Sequence, residues 1–393
     1  MRKIGLVSVG RSDYGIYLPV LKAIHADPDL ELLLFVSGMH LAPGFGLTVD
    51  AIVSDGFKIA AKVEMLLASN TPEGMAKSIG LGIIGYAQSF VENRPDILVV
   101  LGDRFEMYAA VVAALPLRIP VAHIHGGEVT EGAIDDALRH SMTKMSHLHF
   151  VSNREYARRV EQMGEEEWRI TVSGAPSLDN LNSVPLLSLK EIEERYNIRF
   201  DHPPLLVTFH PVTLEIDQVE YQIDELLAAL HECGMPTIFT MPNADAGNAI
   251  IRRKVVEYEK EHPKTWMLEN LGTQAYFSLM RYSALMVGNS SSGIIEAPSF
   301  ILPVVNIGTR QKGRARAANV IDVGYSRNEI ISGIYKGLSG FFRDSLSGLK
   351  NPYGEGLAAE KIVTRLKTVN IDSALVRKHF CDLPASFPGV KRQ

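Results

Sequence analysis

The sequence predicts an α/β protein of two successive αβα domains, each built on a parallel sheet. Short apolar runs alternate with segments in which apolar residues recur at helical spacing, and this alternation begins twice along the chain. A polar stretch rich in Gly, Asn and Pro, 173–189, separates the two series. The 393 residues suit two cores of about 150–200 residues each. We therefore expect domains at 1–178 and 179–370 that face a central cleft, a place where small ligands often bind.

The first domain is predicted to begin with a strand at 4–9, which ends at a glycine and leads into a helix. Pro72 and Glu73 favour the start of another helix, because proline fits the first turn and a carboxylate suits the positive end of the helix dipole. The further strands are predicted at 32–36, 96–101, 120–124, 148–152 and 170–172. The further helices are predicted at 71–93, 107–115, 133–147 and 154–163. This order implies parallel strands joined by right-handed crossovers.

The second domain repeats the alternation after the linker. Its strands are predicted at 205–209, 237–241, 266–268, 283–287 and 303–307. Its helices are predicted at 223–231, 249–259, 273–281 and 357–369. The sequence shows no internal repeat and no low-complexity tract, which argues against a solenoid or a disordered protein.

Composition restricts the partners that the protein is expected to have. A net charge of −5 and a pI near 6.2 give no overall basic field, so nucleic acid is not expected to be a partner. The apolar stretch 107–124 is interrupted by Pro116, Arg118 and Pro120, and therefore does not predict a membrane span. Two cysteines without metal-ligand spacing and the lack of a secretion signal indicate a cytoplasmic protein.

Two polar loops of the second domain predict an anion site. The first, GNSSSG at 288–293, follows an apolar run and precedes a short helical segment, so its backbone N–H groups and the hydroxyls of Ser290 and Ser291 suit a phosphate. The second, at 308–314, contains Arg310 and two further cations after another predicted strand. The alternatives are a helix cap and a solvated basic turn. The succession of two such loops favours a site.

Polar side chains in the first domain follow the carboxyl ends of predicted strands, which share one edge of a parallel sheet. They are Arg11, Asp13, Asp103, His125 and Glu128. A carboxylate such as Asp103 directly after an apolar strand is partly desolvated, which raises its pKa toward the value that suits a general base. Helix capping is the alternative role for Asp103, and a surface turn is the alternative for His125 and Glu128.

Charged residues on the predicted helix 133–147 have both a functional and a structural interpretation. Asp135 is a further acid/base candidate, and a simple helix charge is the alternative. Arg139, His140 and Lys144 are most simply a solvated helix face. His210 follows a predicted strand and precedes a proline, so a turn residue and a ligand-binding residue are equally good interpretations. Zinc, dinucleotide and serine-hydrolase motifs are absent from the sequence.

Several of these motifs occur together, and in this order, in one known family. They are GRSDYG at 10–15, GDRFE at 102–106, HIHGGE at 123–128, IDD at 134–136, RHS at 139–141, FHPVT at 209–213, GNSSSG at 288–293 with Glu296, and NIGTRQ at 306–311. In this ordered set the chain resembles the hydrolysing UDP-N-acetylglucosamine 2-epimerase family, and more closely its sialic-acid and legionaminic-acid branch. The resemblance implies two Rossmann-like domains of the glycosyltransferase-B type, with 371–393 packing back on the first domain.

The resemblance also implies a reaction, in which a UDP-2-acetamido sugar and water give UDP and the free sugar inverted at C2, through a 2-acetamidoglycal. Asp103 matches the acid/base aspartate of the family. Some relatives carry a second carboxylate where this chain has His125, so His125, Glu128 and Asp135 all remain candidates for the second acid/base. The residues implied for UDP are Arg11, Asp13, His210, Ser290, Ser291 and Arg310 for the diphosphate side and Glu296 for the ribose. No metal or cofactor is implied, and the assembly implied is a homodimer or homotetramer.

The sequence leaves two substrates open. One is UDP-N-acetylglucosamine, which would give N-acetylmannosamine, and the other is UDP-N,N′-diacetylbacillosamine. The loop 39–46 is a candidate for the segment that distinguishes them. Two alternatives of other classes share the fold: a retaining glycosyltransferase and a nucleotide-sugar sensor without turnover.

Overall fold

The structure is a computed structural model that describes residues 1–43, 48–69, 71–130, 134–240, 248–269 and 271–382, and of Thr213 and Leu214 only the backbone. Among these residues the strands form two sheets, and every pairing between neighbouring strands is parallel. Contacts divide the chain into two units. The first comprises Met1–Glu128, Ala137–Gly174 and the chain from Ala358 onward, and the second comprises Val129–Asp136 and Ala175–Leu357.

The sheet of the first unit has the strand order β3-β2-β1-β4-β5-β6-β7. Its strands are β1 Arg2–Ser8, β2 Leu30–Ser37, β3 Ile59–Val63, β4 Ile97–Leu101, β5 Val121–Ile124, β6 Leu148–Val151 and β7 Ile170–Val172. The central strand β4 consists of five apolar residues that are all buried, as expected when helices cover both faces of a parallel sheet. Pairing of Leu101 with Ile124 brings the carboxyl ends of β4 and β5 level with each other.

The sheet of the second unit has the strand order β10-β9-β8-β11-β12-β13. Its strands are β8 Leu205–Thr208, β9 Thr237–Thr240, β10 Thr265–Leu268, β11 Leu285–Gly288, β12 Val304–Ile307 and β13 Val320–Val323. Gly288 pairs with Thr208 on one side and with Asn306 on the other. The loops that follow β8, β11 and β12 therefore start side by side at one edge. Residue 241 of the predicted strand 237–241 lies outside the described residues.

The helices lie between the strands along the chain. They are α1 Arg11–Ala26, α2 Val49–Ser54, α3 Pro72–Glu92, α4 Phe105–Ala114, α5 Ile134–Met145, α6 Arg154–Gln162, α7 Asn180–Ser183, α8 Leu189–Tyr196, α9 Val219–Cys233, α10 Asn248–Glu261, α11 Gly272–Tyr282, α12 Ser292–Ile295, α13 Arg327–Leu338, α14 Gly340–Ser345, α15 Ala358–Thr368 and α16 Ser373–Val376. α3 begins as its sequence predicts, because the Thr71 side chain accepts a hydrogen bond from Gly74 N and a proline follows directly. In the described ranges no helix is long and apolar enough to cross a membrane. The predicted α/β class with two parallel sheets is confirmed.

The end of the described chain belongs to the first unit. α15 packs against α1, and Arg2 Nη1 donates a hydrogen bond to the carbonyl of Lys367 (2.7 Å). The side chain of Lys367 forms an ion pair with Asp29 (2.6 Å). Residues 383–393 of the expected C-terminal tail lie outside the described part of the chain, as do 44–47, which include the end of the loop 39–46 considered for substrate choice.

Candidate active site

A buried histidine holds the turn that presents Asp103 after β4. Gly102 has a φ of 73°, which glycine adopts without strain, and His123 Nε2 donates to its carbonyl (2.8 Å). The other ring nitrogen accepts from Thr143 Oγ1 (3.1 Å). Burial lowers the pKa of His123 to about 3, so the ring is neutral at physiological pH. His123 is therefore a structural support for the Asp103 turn.

Arg139 on α5 forms an ion pair with Asp103. The side chain of Arg139 is only 2 % exposed, whereas that of Asp103 is 25 % exposed. The expectation that Arg139 lies on a solvated helix face is therefore wrong. The amphipathic pattern of α5 does not reveal that Arg139 is buried. Its carboxylate partner lies on another segment of the chain, and only the tertiary fold brings the two side chains together. The pair holds the Asp103 carboxylate in a fixed position while one side of it stays accessible.

His125 and Glu128 form a second acid/base pair after β5. His125 Nδ1 lies 2.6 Å from Glu128 Oε1, and because a carboxylate only accepts, Nδ1 carries the proton in the neutral ring. Ser152 Oγ donates to the same carboxylate oxygen (3.0 Å). Both members are buried, with 7 % of His125 and 2 % of Glu128 exposed. In this arrangement Nε2 is the basic atom of the ring, and the carboxylate stabilises the imidazolium that forms when Nε2 takes up a proton.

The two acid/base groups share one sheet edge, because β4 and β5 are neighbours and end level with each other. Asp135, the third acid/base candidate, lies in the first turn of α5 and is half-buried. It belongs to the segment Val129–Asp136, which the contacts assign to the second unit.

The turn between β1 and α1 presents Arg11 and buries Asp13. Arg11 is exposed at the first position of α1, and β1 is the neighbour of β4. Asp13 is 3 % exposed, and its Oδ2 accepts from Ser8 Oγ (2.7 Å) and from Val9 N (3.0 Å). Burial raises the pKa of Asp13 to about 6 despite these hydrogen bonds. The Asp13 carboxylate thus shapes the turn on which Arg11 stands.

In the second unit one buried side chain connects the loop after β8 to the loop after β11. Asn289 Oδ1 accepts from His210 N (2.7 Å), and Asn289 Nδ2 donates to His210 O (2.8 Å). The Asn289 carbonyl also accepts from Arg310 Nη1 (3.1 Å) and from Gln311 Nε2 (2.9 Å). Asn289 therefore fixes three adjacent loops, including two of the residues expected to bind the diphosphate. From the sequence, Asn289 is predicted only as part of a phosphate loop.

His210 is buried close to Arg310, with 7 % of its surface exposed. Burial, and after it the positive charge of Arg310, hold the pKa of His210 well below its ordinary value. The imidazole is therefore neutral, and it can donate one N–H to a ligand without repelling the neighbouring guanidinium. A cation and a neutral donor side by side suit an anionic oxygen.

The serine loop after β11 is lined by hydroxyl groups. Ser290 Oγ accepts from Ser292 N (3.3 Å), and the Tyr276 hydroxyl of α11 lies close to the side chains of Ser290 and Ser292. Burial raises the pKa of Tyr276 to about 12, so the hydroxyl stays protonated. Ser291, like Ser290, is half-buried and precedes α12 directly. Tyr276 was not predicted, because nothing in its local sequence distinguishes it from the other aromatic residues of a helix.

Glu296 lies after α12 and is 7 % exposed. Its Oε1 accepts a hydrogen bond from Ser177 Oγ (2.5 Å), which comes from the start of the second unit. A buried carboxylate that already accepts from one hydroxyl is a suitable acceptor for further hydroxyl groups. This property is consistent with the ribose contact implied by the resemblance.

The fold is of the glycosyltransferase-B type. A crystal structure of the UDP-GlcNAc 2-epimerase from Neisseria meningitidis bound to UDP-GlcNAc superposes with a TM-score of 0.81 at 18% identity, covering 93% of this chain and 99% of that chain. The sequence model of the UDP-N-acetylglucosamine 2-epimerase family matches residues 22–367.

Two curated relatives extend the match to nearly the whole chain. The GDP/UDP-N,N'-diacetylbacillosamine 2-epimerase (hydrolyzing) of Campylobacter jejuni is 40% identical over 97% of this chain and 99% of its own length. The UDP-N,N'-diacetylbacillosamine 2-epimerase (hydrolyzing) of Legionella pneumophila is 37% identical over 96% of this chain and 99% of its own length. The chain belongs to the UDP-N-acetylglucosamine 2-epimerase family, which confirms the resemblance predicted from its motifs.

Proposed function

We propose that this protein is a hydrolysing UDP-sugar 2-epimerase, which converts a UDP-2-acetamido sugar and water into UDP and the free sugar inverted at C2. The observation that carries the proposal is the pair of acid/base groups, Asp103 with Arg139 and His125 with Glu128, at one edge of the sheet in a member of this family. A glycosyltransferase needs an acceptor site rather than groups for proton transfer at C2.

The reaction proceeds in two stages. A base removes the proton from C2, the electrons of that bond form the C1=C2 double bond, and the C1–O bond breaks with its electrons going to UDP. Water then adds its oxygen to C1 of the resulting 2-acetamidoglycal, and a proton is returned to C2. Inversion requires that this proton reach the face opposite to the one from which the first proton left. Two separately placed acid/base groups meet that requirement.

We assign the two proton transfers at C2 to Asp103 and to the His125–Glu128 pair. Asp103 is accessible and held by a buried guanidinium, so its carboxylate can accept a proton without changing position. His125 Nε2 can take up or release a proton while Glu128 keeps the ring oriented through Nδ1. Asp135 is the remaining candidate for one of these roles.

The nucleotide side of the substrate is assigned to the second unit and to Arg11. Charge develops on the diphosphate as the C1–O bond breaks, and Arg310 with neutral His210 would stabilise it. The hydroxyls of Ser290 and Ser291 and the side chain of Arg11 would bind the remaining phosphate oxygens, with Asp13 shaping the turn that carries Arg11. Glu296 would accept hydrogen bonds from the ribose hydroxyls.

For the sugar, we propose UDP-N,N′-diacetylbacillosamine as the substrate. The support is that relatives at 40% and 37% identity over nearly the whole chain carry that substrate in their names. UDP-N-acetylglucosamine, the substrate in the name of the family, is the second candidate. Comparison of kcat/KM for the two UDP-sugars decides between them, and a preference for UDP-N-acetylglucosamine of tenfold or more would reverse the assignment.

The test of the activity is incubation of the pure protein with each UDP-sugar in deuterated water, followed by NMR of the products. We expect release of UDP together with a free sugar that is inverted at C2 and carries deuterium there. UDP release with an uninverted, unlabelled sugar would instead indicate a hydrolase or a transferase without acceptor. UDP-sugar binding without any turnover would indicate a sensor.

We further expect a cytoplasmic homodimer or homotetramer. The two cysteines, Cys233 and Cys381, are free, as is usual in a reducing compartment. Light scattering coupled to size-exclusion chromatography measures the oligomeric state directly, and a monomer at micromolar concentration would contradict the expectation.

A further inference from the structure

A carboxylate in the second unit connects the segment after β8 to the loop that carries Arg310. Glu215 Oε1 accepts from Thr309 Oγ1 (2.6 Å). Its Oε2 accepts from the Tyr325 hydroxyl (2.6 Å) and from Gln222 Nε2 (2.8 Å). Glu215 is half-buried and lies in the 3₁₀ segment Thr213–Gln218, shortly after His210. Three donors from three different segments therefore converge on one side chain.

Tyr325 supports the same loop from a second direction. Its hydroxyl accepts from Thr309 N (3.2 Å) while it donates to Glu215. Gly308 has a φ of 73°, and a Cβ on it would collide with the Tyr325 ring. The ring can thus lie against the backbone only because residue 308 is glycine. Thr309 is in consequence held through both its backbone and its side chain.

These contacts fix the residue directly before Arg310. On the other side of the loop, Arg310 Nη1 and Gln311 Nε2 donate to the Asn289 carbonyl. The loop after β12 is therefore attached to the loop after β11 through Arg310 and Gln311, and to the segment after β8 through Thr309. A guanidinium binds a phosphate with two parallel hydrogen bonds only if its plane is correctly oriented.

The charge of Glu215 makes its position unexpected, because an anion near a diphosphate site repels the ligand. Burial pushes the pKa of Glu215 upward, but the hydrogen bonds from Thr309, Tyr325 and Gln222 outweigh it and hold the pKa below its ordinary value. The side chain is therefore an anion at neutral pH. Such a group weakens ligand binding if it acts only through its charge, and strengthens binding if it acts by orienting Arg310.

We propose that Glu215 is a positioning residue, which orients Arg310 for the nucleotide diphosphate by holding Thr309 and Tyr325. The inference rests on the proposed function, since it takes a UDP-sugar as the ligand of Arg310. It assigns to Glu215 no contact with the substrate. The geometry predicts that loss of the carboxylate weakens UDP binding even though it removes a repulsive charge.

The test is calorimetric titration of UDP into the wild-type protein and Glu215→Gln at constant ionic strength. We expect about tenfold weaker binding in the variant, because hydrogen bonds to a charged group are the stronger ones. Glu225→Gln is the matched control: it removes the same charge from a carboxylate of α9 that is also half-buried and accepts from Arg327 N (2.6 Å), and UDP affinity should not change. Equal or tighter binding in Glu215→Gln would overturn the proposal.

A double-mutant cycle separates positioning from a general loss of structure. Thr309→Val removes the hydroxyl that donates to Glu215 but keeps the carboxylate, and Thr309→Ser keeps the hydroxyl. We expect Thr309→Val to weaken UDP binding and Thr309→Ser to bind UDP nearly as the wild type does. The double variant Thr309→Val with Glu215→Gln should bind UDP no more weakly than whichever single variant binds it less well. If the losses of UDP affinity in the two single variants multiply in the double variant, the two residues act independently. That result would overturn the inference about Glu215 but leave the proposed function intact. Failure of the wild-type protein to bind UDP would instead contradict the proposed function.

Discussion

Asn289 and His210 exchange two hydrogen bonds, one in each direction between the side-chain amide and the backbone (2.7 and 2.8 Å). This relationship connects the ends of two neighbouring strands, β8 and β11, through a residue with no exposed surface. The side-chain amide offers both an acceptor oxygen and a donor N–H, so neither the N–H nor the carbonyl of His210 is left unsatisfied. The position of His210 therefore depends on the identity of residue 289.

Asn289→Asp should weaken UDP binding at least tenfold and destabilise the protein by about 1–3 kcal/mol. The aspartate keeps the acceptor for His210 N but places a second oxygen against His210 O, which cannot donate. Calorimetry measures the binding and urea unfolding measures the stability. Asn319→Asp is the control: Asn319 is equally buried, and its Nδ2 donates to Leu302 O (2.8 Å) before β13. It should lose stability while UDP affinity is kept, and a similar loss of affinity in both variants would contradict the prediction.

Asp103→Asn should abolish most turnover and leave UDP binding largely intact. The amide cannot accept the C2 proton, and general acid/base groups contribute about 10²- to 10⁴-fold to rate. Arg139 keeps a neutral partner of the same shape, so the β4 turn should persist. Steady-state kinetics and UDP titration on the same preparation provide the two readouts. If UDP binding collapsed while residual turnover stayed normal, Asp103 would be a binding residue rather than the base.

Glu128→Gln should reduce turnover by about 10²-fold, because the imidazolium of His125 loses the carboxylate that stabilises it. The carbonyl oxygen of the introduced amide can still accept from His125 Nδ1, so the orientation of the ring is retained. Ser152→Ala is the matched control, since it removes a neutral donor to the same carboxylate (3.0 Å) and should cost less than about tenfold. If Glu128→Gln had an unchanged kcat in the deuterium-exchange assay, the His125–Glu128 pair would be excluded from proton transfer. Asp135 would then be favoured as the second acid/base group.

The sequence was sufficient to predict most strands and the loops that follow them, because buried parallel strands appear as continuous apolar runs. It did not predict β3 or β13, which lie at sheet edges and have few buried residues. It also did not predict α13, where Gly333 and Gly337 lower the helix propensity. Both glycines are needed for close packing: a Cβ on Gly333 would lie 2.9 Å from Val323, and one on Gly337 would lie 2.6 Å from Leu285.

The residue types of the candidate site could be predicted from the sequence, but the contacts between its residues could not. Asp103 and His125 could be placed at one sheet edge because each follows the carboxyl end of a predicted strand in a parallel sheet. The roles of Arg139 and Asn289 could not be predicted from the sequence, because each role depends on which distant backbone or side-chain group the residue contacts. A charged residue on an amphipathic helix and an asparagine in a polar loop have ordinary local explanations. Only the tertiary contacts distinguish these two residues from their neighbours.

The stability of the wild-type protein relative to Asp13→Asn should depend on pH in the acidic range. The pKa of Asp13 is raised from 3.8 to about 6 in the folded state by burial, so between these values the folded protein binds more protons than the unfolded chain. Stability of the wild type should therefore fall relative to the variant as pH rises from about 4 through the folded-state pKa, and the difference should be constant above about pH 7. The full span corresponds to about 3 kcal/mol.

Urea unfolding of both proteins between about pH 4 and pH 8 measures this difference. Other groups titrate in the same range, such as His147 with its pKa lowered by burial to about 4, but they cancel when the two proteins are compared at each pH. A difference that does not vary with pH would show that Asp13 is not protonated more readily in the folded state.

Arg169→Lys should destabilise the first unit by about 2–4 kcal/mol without changing kcat of the folded enzyme. Arg169 is 1 % exposed, and its guanidinium donates to Glu166 and to the carbonyls of His147, Ala374, Leu375 and Arg377. Lysine has three N–H groups in a different geometry, so several of these acceptors would lose their partner.

The carbonyls at the end of α16 are the acceptors most affected, and the described C-terminal segment should become accessible to protease in Arg169→Lys before the rest of the protein unfolds. Limited proteolysis followed by mass spectrometry measures that release. Arg365→Lys is the control, because Arg365 is only half-buried and donates to Trp168 O (2.7 Å), and this change should destabilise the protein less than Arg169→Lys does. Equal proteolysis rates in Arg169→Lys and the wild type would mean that other contacts hold the segment on the first unit, such as those of Lys378 Nζ with the carbonyls of Lys144 (2.7 Å) and Ser146 (2.6 Å).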